Sequence, residues 1–189
     1  MAKFFANAFV QRIAGAVGDL VVRKKNGRMF LSRKPEEVER APSPGQIDVQ
    51  NRFKRANSYA CGAMRDPVKG PIYTQIAAAR DSQAFALAMG DYFHPPAIDA
   101  IDLPAYHGKI GDKITVLATD DLRVVSVHIL IRSTGGSTLE QGAASLVDGL
   151  WHYTATTNLP AGQPVTVVAT ATDLPGSTAT SEKGFTPTA

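Results

Sequence analysis

One cysteine, Cys61, stands among 189 residues, which excludes an intramolecular disulfide and a four-cysteine zinc site. Aromatic residues are only 7%, with a single tryptophan, so stacking platforms for bases or sugars are few. No apolar run approaches the roughly 20 residues that a membrane-spanning helix needs. The four histidines, His94, His107, His128 and His152, are scattered and form neither H-x3-H nor H-E-x-x-H. There is no G-x-S-x-G elbow, no P-loop and no G-x-G-x-x-G. With no nucleophile and base in recognisable spacing, the chain reads as a non-enzyme without cofactor or resident metal, and a small-molecule substrate is not expected. What is present is a 44% apolar, 20% charged chain, enough to bury one large core or two small ones.

Charge of one sign is scarce locally, not globally. The net charge is +3. Residues 1–70 hold 14 Lys/Arg against 6 Asp/Glu, a balance of +8, while residues 71–189 hold 6 against 11, a balance of −5. Such polarity suits either a nucleic-acid-binding half or head-to-tail contact between copies. The segment Phe4-Phe5-Ala6-Asn7-Ala8-Phe9-Val10 is too short and too polar for a secretory h-region and stops at Gln11-Arg12. Any placement outside the cell, on its surface or in an extracellular assembly, is therefore expected without a classical signal peptide; the alternative is cytoplasmic.

The pattern predicts an α+β chain in two parts. Over residues 20–34, two runs of β-formers flank Asn26-Gly27, the turn that tolerates positive φ at both positions, so a β-hairpin is expected. Gly15 and Gly18 upstream read as bends, and residues 4–14 as strand, helix or arm. Ser43-Pro44-Gly45-Gln46 carries an N-cap, a first-turn proline and a capping-box glutamine. Val49, Phe53, Ala56, Ala60 and Met64 then recur at helical spacing until Asp66-Pro67. A second helical region covers 72–79 and 82–93, with Phe85, Met89, Tyr92 and Phe93 as its apolar face. His94-Pro95-Pro96 is the expected boundary, giving a basic hairpin and helical assembly region over 1–96 and a β-domain over 97–189. In the latter, seven strands are expected at 98–103, 113–119, 124–132, 138–146, 150–156, 164–172 and 177–185. Seven short antiparallel strands with regular turn signals, among them Asp148-Gly149, describe a β-sandwich. Trp151 and Tyr153, two apart, share one face and read as core aromatics.

Gly111-Asp112-Lys113-Ile114-Thr115-Val116, Ala118-Thr119-Asp120-Asp121, Val124-Val125-Ser126-Val127, Trp151-His152-Tyr153-Thr154-Ala155-Thr156 and Val168-Ala169-Thr170-Ala171-Thr172-Asp173-Leu174-Pro175-Gly176 resemble a bacterial immunoglobulin-like domain over residues 97–185. That resemblance implies a seven-stranded antiparallel Ig-like sandwich serving as spacer, adhesive or assembly module, without catalytic residues. The first half, through Gly15-Ala16-Val17-Gly18-Asp19-Leu20-Val21, Asn26-Gly27, Arg33-Lys34-Pro35, Ser43-Pro44-Gly45-Gln46 and Arg52-Phe53, resembles a group of small bacterial proteins with a GxxG/NG hairpin and an SxxQ helix start. Some of these carry an Ig-like C-terminal half, which implies the two-part layout and little else.

The leading expectation is a self-associating structural protein, a homo-oligomer or polymer forming an extracellular or virion-like filament or surface array. The N-terminal part has little apolar material for a core of its own. Phe4, Phe5, Phe9 and Val10 are the expected apolar anchors, in a segment suited to adding to a neighbour's sheet edge. The alternative partner is nucleic acid, held by Arg23, Lys24, Lys25 and Arg28 on a basic ribbon. A carbohydrate-binding or adhesive module would need Trp151 and Tyr153 exposed. Asp91, Asp99, Asp102, Asp120, Asp121, Asp148 and Asp173 offer oxygen ligands for calcium, though turn formation explains them without an ion. Cys61 lies near the helical stripe and reads as an inert core residue.

Overall fold

The computed structural model describes residues 15–25, 28–34 and 41–187. Among these residues are eleven strands, all paired antiparallel, and three helices, an α+β chain. The chain divides into two compact units, Met1–Pro44 and Gly45–Ala189. The helices thus belong with the C-terminal sheets, whereas the sequence reading set its boundary after them, at His94-Pro95-Pro96.

The first unit holds a three-stranded meander, β1 (Gly15–Val17), β2 (Leu20–Lys25) and β3 (Arg28–Arg33), in that order. The register pairs Lys25 with Arg28, which leaves two residues for the turn, as the Asn26-Gly27 signal demands. Those two residues lie outside the described set. β1 is an addition to the expected hairpin. Val17 pairs with Leu20, and Gly18 supplies the positive φ, 59°, for that turn. A GxxG read as bends is thus a strand end and a hairpin turn.

In the second unit, α1 (Pro44–Arg65) starts where the proline signal places it. The second helical region is two helices, α2 (Lys69–Ala79) and α3 (Ala84–Phe93), parted at Asp81, whose φ of 48° no helix accommodates. Asp66 joins α1 to α2. Its Oδ1 accepts from the backbone N–H groups of Val68 (2.8 Å) and Lys69 (2.9 Å), and these donors hold its carboxyl below the usual range. The helices share a small core of Ala60, Ala63, Tyr73 and Ala88, which Leu174 from the β-sheet region completes, with Leu122 packed at its side.

The strands that follow are β4 (Ala97–Asp102), β5 (Lys113–Thr119), β6 (Val124–Ser133), β7 (Thr138–Ala143), β8 (Ser145–Val147), β9 (Leu150–Thr154), β10 (Val165–Asp173) and β11 (Thr178–Phe185). They form two four-stranded sheets, β11-β10-β6-β7 and β4-β5-β9-β8. One core joins them: Val127, Ile129, Ile131, Val165, Val167 and Ala169 from the first, Ile101, Ile114, Val116, Trp151 and Tyr153 from the second. Two sheets over a shared core make a sandwich, and the alternating residues point inward as their two-residue period requires.

Seven strands were expected here and eight are found. The expected strand 138–146 divides at Ala144: β7 pairs with β6, whereas β8 pairs with β9 in the opposite sheet. Ala144 itself donates its N–H to Val127 O at 2.8 Å as the chain crosses over. Asp148-Gly149 then closes the β8–β9 hairpin with φ of 51° and 82°, the doubly positive turn that Asp-Gly favours. Gly142 is required for a different reason. A Cβ there would stand 2.7 Å from Tyr153 Cε2, so only a glycine lets the Tyr153 ring cross against β7.

Candidate functional site

The expected anchors Phe4, Phe5, Phe9 and Val10 lie outside the described residues. The four basic residues Arg23, Lys24, Lys25 and Arg28 occupy one two-stranded ribbon, with Arg23 opposite Phe30, Lys24 opposite Met29 and Lys25 opposite Arg28.

A second surface emerges on α1. Its expected stripe is buried only in its later turns, at Ala56, Ala60 and Ala63. The stripe continues toward the N-terminus into the open, where Val49 is 65% and Phe53 56% exposed. Every residue from 44 to 55 is exposed. A helical segment of three turns has little stability from its own hydrogen bonds, and this one also leaves an apolar stripe in the open. Arg52 beside it stacks over the Phe93 ring at 5.6 Å, and Asp48, Lys54 and Arg55 on the same segment are exposed.

Cys61 corrects an expectation. It is exposed, not part of the core. The buried line runs through positions 56, 60 and 63, and residue 61 is turned about 100° away from residue 60. The native thiol should therefore react with a water-soluble aromatic disulfide at a rate within about tenfold of the urea-unfolded chain. A thiol titrating only after unfolding would contradict this placement.

Two clusters of buried polar groups have no clear signature in the sequence. In the first, the Tyr59 hydroxyl contacts that of Tyr73 at 2.9 Å, and Tyr73 donates to Asp91 Oδ2, a chain running across all three helices. Burial pushes both phenols up, Tyr73 far more than Tyr59. Asp91 is buried on α3, and its other oxygen, Oδ1, has no partner. Two turns of the sandwich carry further carboxylates toward it. Asp120 Oδ1 accepts from the N–H groups of Leu122 and Arg123, each at 2.8 Å, and Asp173 Oδ1 from those of Gly176 (2.7 Å) and Ser177 (2.6 Å). Oδ2 of each is buried and unpartnered. Burial first, then the charges of Asp120, Asp173 and Asp121, push the Asp91 carboxyl up to about 6, and burial raises Asp173 as well. Asp121, at the rim, meets His94 Nδ1 at 3.1 Å, and its carbonyl accepts from Arg80 at 2.9 Å.

Of the seven aspartates considered for calcium, the structure thus associates Asp91, Asp120, Asp121 and Asp173. Asp99 instead accepts from Thr119 Oγ1 at 2.7 Å, Asp102 is exposed on β4, and Asp148 forms its hairpin turn. Among the described residues, no three His, Cys, Asp or Glu groups gather as metal ligands.

The second cluster ties the two sheets together. Glu140 of β7 is buried, and its Oε1 accepts from Tyr153 OH (2.7 Å), from Thr156 Oγ1 (2.8 Å) and from the Thr156 N–H. Burial and this contact push the Tyr153 phenol up to about 12. Tyr106, also raised by burial, lies within the influence of Glu140. Trp151 and Tyr153 are themselves buried, so neither forms an exposed aromatic platform.

No family model matches this chain, and no curated protein does. Two solved structures are similar over about half of it. One, described as an engineered protein, has 22% identity and a TM-score of 0.34; the matching region covers 50% of this chain and 20% of that one. The other, a Br derivative of BhCBM56, has 17% identity and a TM-score of 0.31, covering 49% of this chain and 90% of that one. The match thus spans only a fifth of the engineered protein's length.

Proposed function

We propose that this chain is a non-enzymatic structural protein that self-associates into a filament or surface array, with its sandwich acting as an immunoglobulin-like packing or adhesive module. The observation that carries this reading is the projecting apolar stripe of α1, Val49 and Phe53. The three-stranded sheet supports it: among the described residues β1 and β3 are its outer strands, and a further extended segment can add to such an edge through backbone hydrogen bonds. The −5 balance of residues 71–189 complements the basic N-terminal part, as head-to-tail contact requires.

Light scattering and negative-stain microscopy of nuclease-treated protein test it. Assemblies far above the 20.1 kDa of one chain are expected, with Val49→Glu/Phe53→Glu reducing them to monomers of unchanged circular dichroism. Uniform monomers of the unaltered chain at high concentration, in low and in high salt, would overturn the proposal. The ribbon of Arg23, Lys24, Lys25 and Arg28 supports nucleic-acid binding as a second reading. Its mark is affinity that falls steeply with salt and drops on reversal of those charges.

A further inference from the structure

The carboxylates between the helices and the sandwich are built in an unusual way. Asp91, Asp120 and Asp173 come from α3, from the β5–β6 turn and from the end of β10. Each commits one oxygen to a protein donor, and each keeps the other buried and unpartnered. The same turns supply Leu122 and Leu174, which pack on the helical core. The apolar contact that docks the helices on the sandwich therefore brings three acidic groups along with it. Ionised together they repel one another, and their buried oxygens have exchanged water for nothing.

The groups facing Asp91 offer no compensating charge. Tyr59 on α1 and Tyr73 on α2 are neutral hydroxyls. Lys69 of α2 stands over the Tyr59 ring at 5.2 Å. On the sandwich side Asp120, Asp121 and Asp173 are all acidic, and Arg123 contributes its backbone N–H to Asp120. His94 and Arg80 engage Asp121 at the rim.

We propose that this junction is a proton-operated latch: with a proton on its buried, unpartnered Oδ1, Asp91 sits in the junction as a neutral group, and loss of that proton leaves an uncompensated buried charge that loosens the helices from the sandwich. The direction of the pH effect follows from burial. The Asp91 carboxyl is raised from 3.8 to about 6, so its contribution is full below the lower value and is lost as pH rises through the upper one. The latch is independent of self-association and is read within one chain.

Hydrogen–deuterium exchange of the full chain, expressed as protection factors, tests it at pH 5 and pH 8. Protection in α2 and α3 should fall by about tenfold or more between the two, while β6 and β10 hold theirs. In Asp91→Asn the amide still accepts from Tyr73 and stays neutral, so protection should stay high at both pH values. If that variant does not fold, Asp173→Asn serves, with a reduced pH effect expected. Equal protection of the unaltered helices at both pH values, or an undiminished pH effect in the variant that folds, would overturn the latch. So would recovery of protection at pH 8 by millimolar CaCl2 that Asp91→Asn abolishes, since that result assigns the site to a cation.

Discussion

Trp151→Ala is expected to lower stability by about 3–5 kcal/mol, among the largest effects of any single truncation in this chain. Trp151 is 7% exposed and lies on β9, an inner strand of its sheet, with Val116 and Leu146 as its register partners. It meets the opposite sheet inside the shared core. Truncation removes the contact area of the largest side chain and leaves a cavity that two hydrogen-bonded sheets cannot collapse to fill. Urea unfolding followed by far-ultraviolet circular dichroism should show a lower midpoint at unchanged slope, and a melting temperature lower by roughly 10 °C. A loss below about 1 kcal/mol would mean that the indole is not a core group.

Glu140→Ala comes next, at about 3 kcal/mol. Three donors converge on one oxygen of Glu140, and one of them, the Tyr153 hydroxyl, would be left without its partner in a buried site. Glu140→Gln keeps an acceptor in place and should cost clearly less, which separates lost hydrogen bonds from lost packing. The same cluster sets an alkaline limit. Burial and the Glu140 contact push Tyr153 up from 10 to about 12, so its contribution is expected to be complete below pH 10 and to disappear as pH rises through 12. Equal losses in the two variants, read from urea midpoints, would show that the hydrogen bonds contribute nothing net.

Glu140 also shows where alternation stops being informative. In Thr138-Leu139-Glu140-Gln141 the apolar residue would be placed inside and the acid outside. The structure reverses them: Leu139 is 36% exposed and Glu140 5%. The inward position is the one facing the Tyr153 hydroxyl, and that hydroxyl arrives from a strand in the other sheet. Asp91 is similar. It follows Ala84 and Ala88 at helical spacing, on the buried face of α3. A carboxylate there is legible as an oddity, but Tyr73 and Asp173 are 18 and 82 residues away in the chain, and no local pattern names them.

Where one residue's neighbours along the chain decide its conformation, the sequence was sufficient. The start of α1 at Pro44, the two-residue spacing of the β2–β3 turn, the doubly positive turn at Asp148-Gly149 and the inward faces of β6 and β10 all follow from capping, turn chemistry and a period of two. Tertiary structure alone decided which groups share a buried site and which stay in water. It moved the chain between sheets at Ala144, turned Cys61 outward, left Val49 and Phe53 uncovered, and buried the Asp91 carboxyl with one oxygen unpartnered. The reason is that burial and charge act through space. A stripe has the same period whether or not something lies against it, and a carboxylate's cost depends on which distant groups arrive beside it.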